Sequence, residues 1–371
     1  MKPRLVVLLV FLLFLALARP GYAARCLRGP YLQNAVSGQV DLRWELDRLG
    51  PSSVQFAADG ETARKVDCEF QGRKHRARLT GLRPGTTYRY SIWFRDERAS
   101  SDYSFRAVAG PEQSFSFAVM GDFGQGTAGQ MGVARLLERS DTDFVLLAGD
   151  MIYGRGEEEH YDLRFFEPYR RSLRNKVFWP ALGNHDVGAK DGAAALAVFD
   201  VPLNGPAGLQ GGRNYSFDWG NAHFVSLDSN ASRATLQRVI GPWLERDLAA
   251  SQQVWKFVFF HHPPYSSAAH GEDLKMKEVM VPFFTRAKVD IVFAGHDHAY
   301  ERTRPLDGVT YVVSGNGGAG LYAHRHPHDY SAVFFNQKHG LTELRIEGRH
   351  LVLRHKAVGR GEVDRFELRK P

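Results

Sequence analysis

Residues 143–154 read DFVLLAGDMIYG. The run from Phe144 to Ala148 is apolar throughout, without the alternation of a half-exposed strand, so a strand buried on both faces is expected there. Gly149 and Asp150 end it, because glycine followed by aspartate is turn chemistry. Such a strand needs covering layers, and its neighbours in the sequence supply them. FSFAVM (115–120), VFWPALG (177–183), AHFVSLD (222–228), WKFVFF (255–260), VDIVFAG (289–295) and VTYVVSG (309–315) are equally continuous. Between them lie helical patterns at 130–139, 160–175, 236–250 and 274–287. Alternating strands and helices of this kind predict a layered α/β domain.

Period-2 patterning returns at both ends. Residues 27–108 contain QVDLRWEL, SSVQFAA, HRARL and YRYSIWF, separated by Gly, Pro, Asp and Ser, which predicts an all-β sandwich ending near Gly110-Pro111. The tail, LTELRIEG, HLVLRHKAV and VDRFELRK, is expected to close one sheet edge. The expected organisation is therefore a leader at 1–24, a sandwich at 25–110 and an α/β domain at 111–371.

Lys2 and Arg4 precede fourteen apolar residues (5–18) and the small stretch GYAA, the layout of a signal peptide. As a helix that run spans roughly 21 Å, short of the roughly 30 Å bilayer core, so no transmembrane anchor is expected after cleavage. Secretion or a periplasmic location follows. The formal charge is +7, and loss of Lys2, Arg4 and Arg19 leaves 45 basic against 41 acidic residues, or +4. That mild excess favours small anionic substrates, and no basic stripe interleaved with aromatics argues for nucleic acid. Oligomeric state is not legible. The two cysteines, Cys26 and Cys68, are expected either to pair in an oxidising compartment, the favoured reading, or to lie unpaired and buried.

Five strands end alike, in a small or turning residue followed by a side chain able to bind metal. They read GDFG (Asp122), GDMIY (Asp150, Tyr153), GNHD (Asn184, His185), HHPPY (His261, His262) and GHDHAYER (His296, His298). In open α/β sheets the carboxyl ends of strands are where ligands bind. Oxygen and imidazole donors without thiolate suit iron, manganese or zinc. Two Asp, one Tyr, one Asn and three His are too many for one ion and fit two, an arrangement suited to in-line displacement at phosphorus.

The ordered series GD…GDxxY…GNHD…H…GHxH resembles the calcineurin-like metallophosphoesterases, and its details resemble their purple acid phosphatase branch. LTGLRPGTTYRYSIWF (79–94) likewise resembles a fibronectin type III turn and strand. The likeness implies a four-layer α/β domain, a β-sandwich flanked by helices, behind a fibronectin III-like domain. It also implies a secreted acid phosphatase-like hydrolase that cleaves phosphate monoesters by attack of a metal-activated hydroxide. Gly124 stands where most of the superfamily has a histidine, and that branch pairs this departure with a tyrosine, here Tyr153. The implied ligands of the first metal are Asp122, Tyr153 and His298, with Asp150 bridging; Asn184, His262 and His296 complete the second.

His262 is taken as ligand because His262-Pro263-Pro264 meets a His-x-Pro pattern, which leaves His261 as a supporting or core histidine. Two carboxylates and a tyrosinate suit Fe(III) with a divalent Fe, Zn or Mn. His185 is the leading general acid or phosphate donor, and His270 matches a second substrate histidine or else a surface loop residue. Asp186 is expected to orient His185 or cap the next helix, while Tyr300 and Glu301 are candidate supporting partners. Competing readings are a metallophosphodiesterase on the same metals and, more remotely, a non-catalytic secreted binding protein. The GNGGAG loop (315–320) comes late and lacks a following helix and a spaced acid, so it reads as a tight loop near the metals rather than a dinucleotide loop.

Overall fold

The computed structural model describes residues 24–371; the leader reading therefore lies outside the described residues, save Ala24. Among the described residues no helix is long and apolar enough to cross a membrane. The N-terminal part is a β-sandwich. One sheet orders Cys26–Val36, Gln39–Leu46, Lys74–Thr80 and Glu69–Gln71; the other orders Arg64–Asp67, Ser52–Ala58, Thr87–Phe94 and Glu97–Arg98, with Tyr103–Arg106 also paired to Thr87–Phe94. Inward residues alternate as the sequence pattern requires, with Val40, Leu42, Trp44 and Leu46 on one strand all 3% exposed or less.

The expected bridge between Cys26 and Cys68 is absent, and both cysteines are free. Their sulfurs are committed to different neighbours, Cys26 donating to Ala99 O and Cys68 to Val66 O. Burial pushes the Cys26 thiol up to about 11, so it stays protonated.

The α/β part packs two sheets face to face. The six-stranded sheet orders Val177–Ala181, Phe144–Ala148, Phe115–Met120, Gly340–Glu347, His350–Ala357 and Gly361–Arg369. The seven-stranded sheet orders Tyr215–Trp219, Ala222–Ser226, Trp255–Phe259, Ile291–Ala294, Thr310–Ser314, Tyr300–Thr303 and Ser331–Phe335. Between them the aromatic side chains of the apolar strands interlock. Phe117 lies 5.2 Å from Phe144, 5.2 Å from Phe224 and 5.4 Å from Phe257, ring centre to ring centre, mixing stacked and edge-on geometries.

Every apolar strand foreseen from sequence is present, and three short ones, Tyr215–Trp219, Tyr300–Thr303 and Ser331–Phe335, join them. The tail does more than close an edge: Gly340–Glu347 pairs antiparallel with Phe115–Met120 in mid-sheet, and only Gly361–Arg369 lies outermost.

Two expected helices are interrupted. Asp162–Phe166 and Leu236–Ile240 are π turns, each followed two residues later by a proline (Pro168, Pro242) that has no N–H for the carbonyl four residues back. Parallel pairing carries Phe115–Met120, Phe144–Ala148 and Val177–Ala181 in one direction, and Trp255–Phe259, Ile291–Ala294 and Thr310–Ser314 in another set. All six release their chains at one rim.

Candidate metal centre

At that rim each strand end turns sharply. Asp122, Asp150 and His296 have φ of 59°, 51° and 70°, a left-handed conformation that non-glycine residues rarely hold without a local cause. The preceding glycines supply the cause, since they let the turns crowd together. A Cβ at Gly183 would sit 2.1 Å from Asp150 Oδ1, and one at Gly295 would sit 2.5 Å from Asp122 Oδ2. The glycines before Asn184 and His296 are thus a requirement of packing these candidate donors against Asp150 and Asp122.

Two adjoining groups of donors result. In the first, Tyr153 Oη lies 2.9 Å from His298 Nε2 and 3.3 Å from Asp122 Oδ1, and His298 Nε2 is 3.6 Å from Asp122 Oδ1. In the second, His261 Nε2 lies 3.3 Å from Asp150 Oδ2 and 3.0 Å from Asn184 Oδ1, while His296 Nδ1 is 3.1 Å from Asn184 Oδ1 and 3.2 Å from His261 Nε2. Asp122, Asp150 and His261 offer atoms within 4.8 Å of one another, and so do His261, His262 and His296.

Backbone carbonyls set the ring orientations. His298 Nδ1–H donates to Gly320 O at 2.6 Å and His261 Nδ1–H to Ala148 O at 2.9 Å, which turns both Nε2 atoms toward the centre.

The charge of this cluster fits a pair of cations. Asp122 and Asp150 are 0% and 2% exposed, and among the described residues no lysine or arginine pairs with either; the imidazoles beside them belong to His185, His261 and His298. Burial, reinforced by Asp150, pushes the Asp122 carboxyl well above the usual range, despite the opposing pull of His261. Burial works against charge on His261 too, but the Asp150 carboxylate overrides it and lifts that imidazole to about 10. His262, His296 and His298 are driven by burial down to about 3, 2 and 4, hence neutral, with lone pairs available. Burial and then Asp122 raise the Tyr153 phenol, so a phenolate there requires positive charge beside it.

Gly124 is enclosed. A Cβ there would meet Met151 O at 1.7 Å, because the Tyr153 amide donates to Gly124 O at 3.1 Å and draws the 151–153 backbone over it. The segment that delivers Tyr153 occupies the room a side chain at 124 would need.

The two adjacent histidines sit in different surroundings. His261 is fully buried and points between Asp150 and Asn184, whereas His262 is partly exposed and its Nδ1 is engaged with Ser229 Oγ at 2.8 Å. His261-His262-Pro263 also meets the His-x-Pro pattern. Asp186 neither touches the His185 ring nor caps a helix. It is fully buried and accepts from Met151 N, Ile152 N and Gly183 N at 2.9, 3.2 and 2.8 Å, tying two metal-site turns together. Burial, then Asp150, raises its carboxyl to about 7.

His185 instead donates from Nδ1 to Gly154 O at 2.5 Å, and its ring centre lies 4.4 Å from that of Tyr153. His270 is exposed on a loop and stacks 4.3 Å from the His296 ring. Tyr300 faces away, donating to Asp364 and stacking on His355, while Glu301 is bound to Ser267.

Two contributors escaped sequence reading. Tyr322, from a loop without periodicity, stacks on His298 at 3.9 Å; Asp297 lies inside GHDH, hidden between two more conspicuous histidines. The glycine-rich 315–320 loop borders the centre as expected, with Ala319 N donating to Asp122 O.

This site on this fold matches the calcineurin-like phosphoesterase model over residues 115–300, and the chain belongs to that family. Its relatives narrow the comparison. Phosphoenolpyruvate phosphatase of Allium cepa is 27% identical over 284 residues, covering 72% of this chain and 58% of its own. Purple acid phosphatase 21 of Arabidopsis thaliana is 30% identical over 267 residues, covering 67% and 59%. The chain thus spans less than three fifths of the length of these two relatives. In fold, it superposes on the purple acid phosphatase PPD1 from yellow lupin (Lupinus luteus) seeds with a TM-score of 0.81, at 20% identity, over 92% of this chain and 74% of that one.

Proposed function

We propose that the chain is a dinuclear-metal phosphatase of the purple acid phosphatase type, acting on small phosphate monoesters. The carrying observation is the meeting of Tyr153, Asp122 and His298 beside a Gly124 that leaves no room for another ligand. Asp122, Tyr153 and His298 would hold the first ion, an Fe(III), and Asn184, His261 and His296 the second, a divalent Fe, Zn or Mn, with Asp150 shared between them. His261 is preferred to the expected His262 because its Nε2 faces Asp150 and Asn184, while Nδ1 of His262 engages Ser229. When bound, such ions supply Lewis-acid polarisation and an activated water.

The protein's own groups do the rest. With its Nδ1–H held by Gly154 O, His185 offers Nε2 to a bound phosphate or to the departing oxygen. His270 offers a second ring from the opposite loop. His262 and Ser229 support the rim.

The sandwich is of the fibronectin III kind, a reading supported by Arg83 N donating to Tyr88 Oη at 2.9 Å, a tyrosine reaching back to upstream backbone. Residues 1–24 act as an export leader, with domains at 25–110 and 111–371. The test is a visible spectrum with metal analysis, plus paired kinetics on an aryl phosphate monoester and diester. Expected are two ions per chain, a tyrosinate-to-iron band that Tyr153→Phe abolishes, and monoester preference. A colour unchanged in Tyr153→Phe sinks the ligand assignment, and strong diester preference sinks the substrate class.

A further inference from the structure

The loop that carries His270 has no regular structure to hold it. Residues 261–273 pass from Trp255–Phe259 to the helix Leu274–Arg286 through turns and bends, yet Ser266, Ser267 and Ala268 are 0% exposed. A buried irregular segment must satisfy its backbone groups from outside itself.

Two carboxylates do so, Asp297 from the neighbouring loop and Glu301 from the strand Tyr300–Thr303 that follows it. Asp297, fully buried, accepts from Ser266 Oγ at 2.5 Å, His270 N at 2.9 Å and Gly271 N at 3.1 Å. Glu301, 1% exposed, accepts from Ser267 N at 2.7 Å and Ser267 Oγ at 2.6 Å. Neither forms an ion pair among the described residues, so their acceptor capacity goes to this one loop. Ser267 O in turn receives Arg325 N and His326 N, which fastens a third loop to the same knot.

We propose that Asp297 is a positioning residue for His270: lying between His296 and His298 in the chain, it fixes the backbone of His270 relative to both of those rings. Its carboxylate binds the amide of His270 itself, which sets the Cα from which the ring reaches over His296. Hydrogen bonds of N–H and O–H to a carboxylate are the stronger kind, and partners behind a metal site commonly matter for activity although they touch neither ion nor substrate. Glu301 performs the companion task for Ser267, so the rim is assembled as one body before substrate arrives. The proposal rests on His270 facing substrate.

The test combines amide hydrogen exchange with kinetics on an aryl phosphate monoester for the parent chain, Asp297→Asn, His270→Ala and the double variant. The Asn amide presents N–H groups where Gly271 N–H and Ser266 O–H require an acceptor. Expected are faster exchange across residues 266–271, two ions retained, and kcat down by about 10-fold or more with little change in KM. In the His270→Ala background the same substitution should change kcat by less than about 2-fold, because the group it positions is gone. Equal losses in both backgrounds, loss of metal, or unchanged exchange at 266–271 overturns the proposal.

If Asp297→Asn does not fold, Ser266→Ala removes one of the three bonds and should give a smaller loss with the same dependence on His270; a loss independent of His270 counts against it. Should His270→Ala be as active as the parent, the substrate-facing reading is lost and exchange alone decides. A protected loop in Asp297→Asn then overturns the positioning role, and an opened one upholds it.

Discussion

His261 and His262 differ by one position and by everything around them. His261 is fully buried, with its Nδ1 proton committed to Ala148 O and its other nitrogen facing Asp150 and Asn184. His262 lies at the edge, bonded to a serine hydroxyl. Truncating them should therefore separate the two. His261→Ala is expected to lose the second ion, with activity down by about 100-fold or more, whereas His262→Ala should retain two ions and lose less activity. Metal content per chain is the measurement. Retention of both ions in His261→Ala would return the ligand role to His262. The type of donor at each strand end was legible because turn and strand chemistry is local. Which of two neighbouring imidazoles faces inward depends on the group that each ring meets, Ala148 O for His261 and Ser229 Oγ for His262, and those groups come from distant parts of the chain.

Among the elements, a histidine helps to join the edge of the seven-stranded sheet to its covering helix, beside the Ser216 hydroxyl that donates to Asp247 at 3.0 Å. His223, on Ala222–Ser226, contacts Asp218 at 2.6 Å on the paired strand Tyr215–Trp219 and Asp247 at 2.9 Å on the helix Gly241–Ala250. Burial opposes its charge, but hydrogen bonds to the two carboxylates prevail and raise it from 6.5 to about 9. A raised folded-state value means that the stabilisation is fully present below about pH 6.5 and is lost as pH rises through about 9. At about 1.4 kcal/mol per unit, the difference is roughly 3 kcal/mol. Unfolding midpoints in urea should fall between pH 6.5 and 9.5 for the parent chain, and the fall should be shallower in His223→Gln. An identical pH profile for the two proteins would remove His223 from the account. The element pattern itself was readable from apolar periodicity, save where a strand was too short and too polar to signal, as with Tyr300–Thr303.

Across the whole molecule, the sandwich and the α/β part share one continuous apolar cluster that runs from Leu32 and Trp44 to Phe117 and Phe257. Polar contacts reinforce the seam. Tyr31 packs edge-on against Phe166 at 5.1 Å, Arg28 covers the same ring and pairs with Asp162 at 2.7 Å, Tyr90 Oη donates to Arg174 O, and Arg106 pairs with Asp143 at 3.1 Å. Units joined through a common core are expected to melt together. Calorimetry should give one transition whose van't Hoff and calorimetric enthalpies agree, and Tyr31→Ala should lower its midpoint without splitting it. Two resolved transitions in the parent chain would contradict a shared core.

The sequence alone determined what depends on neighbours along the chain. It marked the buried strands through their unbroken apolar runs, the sandwich through its alternation, the strand-end turns through their glycines, and the donor set through residue type. Tertiary structure decided what depends on residues far apart in sequence. It put the C-terminal strand Gly340–Glu347 beside Phe115–Met120, left Cys26 and Cys68 apart, turned His261 inward, and set Asp297 behind His270. Each of those outcomes follows from a hydrogen bond or packing contact made only once distant strands and loops are assembled, and such a contact leaves no periodic trace in the residues that make it.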